Sequence, residues 1–227
     1  NATFYRKGFF DFGEKATLVW NRHVSYNNAD YPIDYYNLND LDLHVYDSSG
    51  NEIASSTGVV DNVEQVFSPD NYGTVYLKVK GFTQNYSHNS NYEEFALATK
   101  SPLIQLNGSL VSTSINLPNQ ISNTNLSFLI NATIRNDGDL ALKDTLVNLN
   151  LPFGLSSNST TFVNIGDLNS GEAKNIIWYI NSINPGNYSN IYFNYFGNTL
   201  GEFESGQSNF GSINVFENIP PEPIFKL

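Results

Sequence analysis

Alternation of apolar and polar side chains with a period of two is the feature that most limits what this chain can fold into. Side chains two residues apart share one face of a β-strand, so the pattern predicts a strand with one face on a core and one in water. The clearest case is the segment 39–46, whose apolar positions are Leu41, Leu43 and Val45. The turn sequence Asp47-Ser-Ser-Gly50 follows and predicts a hairpin into residues 51–55.

The same period returns along the rest of the chain, and no stretch shows the period of a helix. In the segment 73–82, the side chains predicted to face solvent are Tyr76, Lys78 and Lys80. A chain of 227 residues is longer than one β-sandwich, which takes about 100 residues. We therefore predict an all-β fold of two antiparallel β-sandwich domains in tandem, of the jelly-roll or Ig-like type.

The composition sets the predicted domain boundaries. A first sandwich is predicted over residues 1–100, and Lys100-Ser-Pro102 marks its end. Residues 101–115 form a linker or connecting strand, residues 116–217 a second sandwich, and residues 218–227 an extended tail rich in proline.

Three local features refine this prediction. The segment Arg22 to Asn37, rich in Tyr, Asn and Asp, is predicted to be a long loop. Asn136-Asp-Gly138 is a strong signal for a hairpin turn. Trp178 lies on an apolar strand and is predicted to be a core residue rather than a platform for a ligand.

Charge and composition exclude several classes of function. The net charge is −11 and the 11 basic residues are scattered, whereas nucleic-acid binding needs clustered Lys and Arg. The chain has no Cys, so it forms neither disulfides nor thiolate metal sites. No apolar run approaches the roughly 20 residues of a membrane-spanning helix. The uncharged surface of Asn, Ser and Thr favours an extracellular or cell-surface location, and the absence of Met predicts a cleaved leader or a fragment.

The histidines give no sign of catalysis. They are His23, His44 and His88, and none accompanies a nucleophile in a recognisable turn motif. We therefore predict that the protein is not an enzyme and that it has no catalytic residues.

Residues 4–99 carry the motifs "KATLVW", "NDLDLHVYDSSGN", "DNVEQVF", "GTVYLKVKGF" and "EEFALA" in that order. In this they resemble the β-sandwich domain that follows the catalytic domain in many secreted subtilisin-like proteases, which is related to the pre-peptidase C-terminal domains. The catalytic motifs of those proteases are not in this sequence. The resemblance implies a β-sandwich module and a calcium ion near the strand that contains Asp40 and Asp42.

Asp40 and Asp42 are two residues apart, so both carboxylates are predicted to point away from Leu41 and Leu43. A calcium ion between them would relieve their repulsion, with further oxygens from Asp61 and Glu64. The alternative is an acidic face exposed to solvent. Calcium is the only cofactor that the sequence suggests.

Residues 116–217 contain "ATIRNDGDLALKDTLVNLNLPFG" and "IGDLNSGEAKNIIWYI". They resemble the Ig-like domains of the CARDB type found in bacterial and archaeal surface proteins, which implies a second sandwich at the cell surface.

Seven Asn-X-Ser/Thr triplets fit the acceptor for N-glycosylation. Their asparagines are Asn1, Asn85, Asn107, Asn125, Asn131, Asn158 and Asn187. Roughly five such triplets are expected by chance in a chain so rich in Asn, Ser and Thr. Their predicted places in loops, at strand starts and on the polar face of a strand favour N-linked glycans.

Three functions are compatible with these observations. The first is a structural subunit of a prokaryotic, in particular archaeal, envelope, which assembles with itself or with other surface proteins by strand addition of its termini. The residues predicted to make these contacts are Phe4, Phe9, Phe10, Ile219, Ile224, Phe225 and Leu227. The second is an accessory region of a secreted subtilisin-like protease, for stability or substrate docking. The third is glycan binding by the Tyr-rich loops.

Overall fold

The computed structural model describes residues 3–21, 23–25, 35–37, 39–83, 93–122 and 126–217. Every regular element in these ranges is a β-strand, so none of them is a helix long and apolar enough to cross a membrane. The chain divides into two compact units, Asn1–Gly108 (unit 1) and Ser109–Leu227 (unit 2). The prediction of an all-β protein with tandem sandwich domains is confirmed.

The described part of unit 1 contains ten strands in two packed sheets and one short hairpin. The strands are β1 (Thr3–Phe10), β2 (Lys15–Trp20), β3 (His23–Ser25), β4 (Tyr35–Asn37), β5 (Asp40–Tyr46), β6 (Glu52–Ser56), β7 (Val63–Phe67), β8 (Gly73–Thr83), β9 (Phe95–Thr99) and β10 (Ile104–Leu106). The first sheet has the order β10-β1-β8-β5-β6 and the second the order β7-β2-β9. All the pairs are antiparallel, including the hairpin of β3 with β4.

The core of unit 1 is built from alternate residues of both sheets. Leu43, Val45 and Leu77 of the larger sheet and Leu18 of the smaller one are completely buried. Their alternation in sequence places them on one face of each strand, where the two sheets meet. Trp20 closes this core, and its indole nitrogen donates a hydrogen bond of 2.7 Å to the carbonyl of Asn39.

The predicted hairpin after β5 is confirmed. The carboxylate of Asp47 accepts hydrogen bonds from the backbone nitrogens of Ser49 and Asn51, each at 2.9 Å. This Asx-type turn reverses the chain, and Gly50 takes the left-handed conformation (φ 87°) that its lack of a Cβ permits.

The prediction that one face of β5 lies in water is wrong. Asp42 is only 6% exposed and Tyr46 only 3%, although both lie on the face opposite the core. Lys78, predicted to face solvent from β8, is only 3% exposed and lies opposite His44 in the strand register. Its ammonium group lies 5.1 Å from the centre of the Tyr46 ring, a cation–π contact. The outer face of this sheet is therefore buried at Asp42, Tyr46 and Lys78.

Unit 2 also contains ten strands. They are β11 (Val111–Asn116), β12 (Gln120–Ile121), β13 (Ser127–Asn136), β14 (Leu142–Asn150), β15 (Leu155–Ser157), β16 (Phe162–Leu168), β17 (Ala173–Ser182), β18 (Gly186–Thr199), β19 (Glu202–Gln207) and β20 (Gly211–Val215). One sheet has the order β11-β13-β17-β15. The other has the order β12-β20-β18-β14-β16, with β19 also paired to β18. The pairing of β12 with β20 is parallel and the others are antiparallel.

The core of unit 2 is centred on Trp178, which is 1% exposed, so its prediction as a core residue is confirmed. Its ring packs against that of Phe193 from the opposite sheet, with the ring centres 6.4 Å apart. Ile130 and Ile180 are completely buried beside it. The alternating apolar residues of both sheets again meet in the middle of the sandwich.

The hairpin predicted at Asn136-Asp-Gly138 is not formed. β13 ends at Asn136 in one sheet, and β14 begins at Leu142 in the other, so this segment is a corner between sheets. Asn136 is completely buried, and its amide donates to the carbonyls of Leu140 and Leu168. A hairpin would need both strands in one sheet, whereas these bonds hold the chain where it crosses the sandwich.

Three predicted segments have more structure than expected or lie outside the described residues. Residues 101–115, predicted as a linker or connecting strand, include β10 and most of β11. The insert from Arg22 to Asn37, predicted as a loop, contains the paired strands β3 and β4, and its residues 26–34 are outside the described part. The predicted tail at 218–227 also lies outside the described residues.

Candidate functional site

A cluster of carboxylates lies at one edge of unit 1, where the two sheets meet. Asp40 and Asp42 are at the start of β5, and Glu64 is on the edge strand β7. Glu64 alternates with the buried Val66 and lies opposite Leu18 in the register, so its side chain points inward. The charge of Glu64 acts on both Asp40 and Asp42, although Glu64 comes from a different sheet.

The fourth predicted ligand, Asp61, and Glu64 both lie beside Gly58, in the loop after β6. Glu64 is 3% exposed, and its carboxylate accepts hydrogen bonds from the hydroxyl of Ser56 and from the backbone nitrogen of Gly58, the latter at 2.7 Å. A Cβ at Gly58 would lie 2.9 Å from Oε1 of Glu64 and 3.8 Å from Oδ2 of Asp61. The loop after β6 therefore fixes Glu64 by hydrogen bonds, whereas Asp61 is exposed.

The pKa values of both aspartates in the cluster are raised. Burial is the largest cause for Asp42, and together with the charges of Asp40 and Glu64, and against those of Lys80 and Lys78, it raises the pKa of Asp42 to about 6. Burial, and then the charge of Glu64, also raises the pKa of Asp40. Oδ1 of Asp40 is a buried atom without a hydrogen-bond partner. The cluster therefore favours bound positive charge, either a proton or a cation.

The described residues include no group of three or more acidic or histidine side chains that could hold a metal ion. The predicted residues are near one another, but this arrangement gives calcium no direct support. The alternative of a solvent-exposed acidic face is also wrong for Asp42, which is buried. Calcium binding stays a prediction from the sequence.

His44 is the one histidine whose side chain the structure describes. Its Nδ1 lies 3.2 Å from Glu52, its Nε2 lies 3.8 Å from Asp42, and its ring stacks near that of Tyr46. These neighbours are two carboxylates and a phenol on the same sheet face, which explain the position of the ring. His23 and His88 lie outside the residues whose side chains are described.

The N-terminal residues predicted to make assembly contacts differ in their surroundings. Phe10 is 1% exposed and belongs to the core of unit 1, so it is not a surface contact. Phe4 and Phe9 are 43% and 48% exposed. However, β1 pairs with β10 on one side and β8 on the other, so it is not available to extend the sheet of a neighbour. The C-terminal residues of the set are outside the described part: Ile219, Ile224, Phe225 and Leu227.

The sequence does not show which strand edges are protected from pairing with another chain, but the structure does. The edge strand β7 points the charged Glu64 inward, and β6 and β16 have irregular registers. An inward-pointing charge and an irregular register are both known to block pairing at a sheet edge. By contrast, β9 (Phe95–Thr99) lies at the edge of its sheet, has no charge or proline, and keeps a regular register with β2.

The four described asparagines of the predicted glycosylation sites all have exposed side chains: Asn107, Asn131, Asn158 and Asn187. Asn131 and Thr133 lie on the outer face of β13. Asn158 exchanges hydrogen bonds with the side chain of Asn181. The other three predicted sites are outside the described residues: Asn1, Asn85 and Asn125.

A groove at one end of unit 2 was not predicted from the sequence. It has a volume of about 580 Å³ and is formed by the end of β14, the turn that follows and the start of β18. Its lining includes Phe153, whose side chain is completely exposed. The turn sequence Pro152-Phe-Gly154 is the only signal in the sequence, and it shows a turn but not the groove. We call this feature the Phe153 groove.

Comparison with known proteins gives structural likeness but no family. No family model and no curated protein matches the chain. Among solved structures, the CARDB domain of a Pyrococcus furiosus protein determined by NMR is 17% identical, with 47% of this chain and 94% of that chain covered and a TM-score of 0.34. The crystal structure of that CARDB domain, in complex with di-metal ions, is 16% identical. The match covers 48% of this chain and 96% of that one, with a TM-score of 0.36. A BspA C-terminal structure is 7% identical. The match covers 94% of this chain and 93% of that one, with a TM-score of 0.29.

Proposed function

We propose that this protein is a non-catalytic structural subunit of a prokaryotic cell surface, N-glycosylated, which assembles with copies of itself by strand addition. The observation that supports the proposal is the edge strand β9 (Phe95–Thr99), which among the described strands pairs with β2 alone. An exposed edge presents unpaired N–H and C=O groups, which can pair with a strand from another chain.

The edge of β9 suits pairing because its sequence is apolar and small. Leu97 lies opposite Leu18 and faces the core, so Ala96 and Ala98 point outward and are exposed. No charge or large side chain on the outer face hinders a strand alongside it. Of the other uncharged edges, β10, β12 and β15 have only two or three residues, and near β11 the hydroxyl of Thr113 donates to the carbonyl of Gln207. We therefore favour β9.

The proposed strand donor is the segment 218–227 of a second copy. It carries Ile219, Ile224, Phe225 and Leu227, and ten extended residues span roughly 30 Å. Insertion at β9 would add main-chain hydrogen bonds and bury apolar surface at about 25 cal/mol per Å². Because donor and acceptor are different surfaces, the contact is head-to-tail and forms a filament unless it closes into a ring.

Two further observations favour a cell-surface location. All four described glycosylation asparagines are exposed, and only 15% of the residues are charged, so solubility depends on uncharged polar groups that glycans would supplement. The net charge of −11 disfavours nucleic-acid partners.

The test is the particle mass of the protein and of two variants, measured by multi-angle light scattering and electron microscopy. We expect the wild type to form concentration-dependent head-to-tail assemblies. Ala98→Lys, which places a charge on the outer face of β9, and removal of residues 218–227 should each lower the assembled fraction at least tenfold. The matched control is Asn175→Lys, which adds the same charge at an exposed position of β17 in unit 2, outside the proposed β9 edge.

A native particle that is only a monomer would contradict the assembly proposal. An assembled fraction that neither Ala98→Lys nor the truncation lowers would also contradict the assembly proposal. Folding of the variants is checked by circular dichroism, because exposed substitutions are expected to change stability by less than about 0.5 kcal/mol.

A further inference from the structure

The Phe153 groove is bounded by a well-defined turn and a bulged strand. The backbone nitrogen of Leu155 donates to the carbonyl of Pro152 at 3.2 Å, which closes a turn with Phe153 at its tip. Gly154 has a φ of 98°, and a Cβ there would lie 2.8 Å from the ring of Tyr188. The turn thus needs glycine, and its packing against Tyr188 fixes the position from which Phe153 projects.

The other wall of the groove comes from an irregularity in β18. The register of β18 with β20 shifts between Tyr188 and Ile191, and Asn190 in this bulge has a φ of 61°. A left-handed conformation in a non-glycine residue is uncommon, and bulges redirect side chains. Here Ser189 and Asn190, which would otherwise alternate across the strand, both line the groove.

The lining of the groove combines an aromatic face with amides and hydroxyls. Phe153 is completely exposed, and Tyr192 is half-buried and held by an edge contact with Phe210 at 5.1 Å. The amides of Asn187 and Asn190 are next to them in the lining. Among the residues that the structure describes, no Asp, Glu, Lys or Arg lines the groove, in a chain with a net charge of −11.

We propose that the Phe153 groove binds a neutral carbohydrate. A pyranose ring has an apolar face of C–H groups, which would stack on the exposed ring of Phe153, and a rim of hydroxyls, which would bond to Asn187, Asn190 and the Tyr192 hydroxyl. The uncharged lining disfavours anionic sugars. An apolar peptide is also disfavoured as the ligand, because it would leave these amides without hydrogen-bond partners.

Carbohydrate binding goes beyond the proposed structural role and does not depend on it. Asn187 is itself a candidate for glycosylation, and a glycan attached there would occupy the same groove. The test therefore uses the full chain produced in a host without N-glycosylation. Its light-scattering mass is measured in parallel, so that failure of sugar binding and failure of assembly are separate results.

The experiment is an array of neutral and acidic oligosaccharides, followed by NMR titration of the neutral trisaccharides that bind. We expect binding of neutral glycans with shifts of the Asn187 and Asn190 side-chain amides. Phe153→Ala should weaken binding roughly tenfold, because it removes the ring on which the apolar face of the sugar would stack. Tyr192→Phe, which keeps the ring, should weaken it by less. The matched control is Phe203→Ala, a phenylalanine 67% exposed elsewhere on unit 2, which should bind as the wild type does.

Three outcomes would overturn the proposal. They are an array without any neutral glycan bound, a preference for acidic glycans, and equal binding by Phe153→Ala and the wild type. Displacement of a bound sugar by an apolar peptide, with tighter binding of the peptide, would assign the groove to a protein partner instead.

Discussion

The side-chain amide of Asn136 lies 3.0 Å from the carbonyl oxygen of Leu168 and donates a hydrogen bond to it inside unit 2. The same amide donates to the carbonyl of Leu140 at 2.7 Å, and its oxygen accepts from the backbone nitrogens of Gly138 and Leu110. One completely buried side chain thus joins three backbone segments, at Leu110, at the turn 138–140 and at Leu168, by four hydrogen bonds.

We expect Asn136→Ala to lower the free energy of unfolding of unit 2 by about 3 kcal/mol. The substitution leaves two buried carbonyls without donors, and each unsatisfied group costs about 1–3 kcal/mol. The measurement is urea denaturation followed by Trp178 fluorescence in a Trp20→Phe background, because each unit contains one of the two tryptophans. Asn175→Ala, at an exposed position, is the control, and equal stability of the two variants would contradict the prediction.

Asp42 makes the stability of unit 1 depend on pH. Its pKa is raised to about 6 in the folded protein from its usual value of 3.8, because the side chain is buried near Asp40 and Glu64. The folded state therefore binds a proton more tightly than the unfolded state does, and stability increases as the pH falls from about 7.5 to 5. We expect the melting temperature of unit 1 to rise over this range.

Asp42→Asn should remove most of this pH dependence and stabilise unit 1 at pH 7.5 by about 1 kcal/mol, because a neutral amide avoids the repulsion. Calorimetry at pH 5, 6 and 7.5 measures both effects. The control is Asp70→Asn, at an exposed position in the same unit. The prediction would be contradicted if the melting temperature of the wild type fell as the pH is lowered from 7.5 to 5, and if Asp42→Asn showed the same pH dependence as the wild type.

Calcium at Asp40, Asp42, Asp61 and Glu64 stays a prediction with its own test. Bound calcium would raise the melting temperature of unit 1 at pH 7.5, since a ligand that binds only the folded state stabilises it. The increase should be smaller at pH 5, where Asp42 is largely protonated. A melting temperature unchanged by calcium or by a chelator at pH 7.5 would remove calcium from this cluster.

N-glycosylation is tested by peptide mass spectrometry of the protein from its native source. We expect occupied sites among the four exposed asparagines: Asn107, Asn131, Asn158 and Asn187. Asn131→Gln should change the free energy of unfolding by less than about 0.5 kcal/mol, because the side chain is on the outer face of β13. Unmodified asparagines at all four positions would contradict the glycosylation part of the proposed function.

The sequence was sufficient for the strands because their signal is local. The alternation of Leu41, Leu43 and Val45 predicts which side chains enter the core, since the period of a strand does not depend on distant residues. Asp47-Ser-Ser-Gly50 predicted its hairpin for the same reason, as the side chain of Asp47 bonds to backbone only two and four residues away. The grouping of Asp40, Asp42, Asp61 and Glu64 as calcium ligands came from a family resemblance rather than from spacing, and it stays a prediction.

Only the tertiary structure decided the properties that depend on which elements meet. The turn signal at Asn136-Asp-Gly138 predicts a hairpin. Whether the next strand joins the same sheet, however, depends on the hydrogen bonds from Asn136 to Leu140 and Leu168. Local periodicity likewise placed Lys78 and Asp42 outward, but it does not report what covers the outer face of a sheet. The Phe153 groove combines residues from β14 and β18, which are far apart in the chain. The face of a strand on which a side chain lies is determined by a few neighbouring residues in the sequence. The burial of that side chain, and the residues that meet in a site, are determined by contacts between distant parts of the chain.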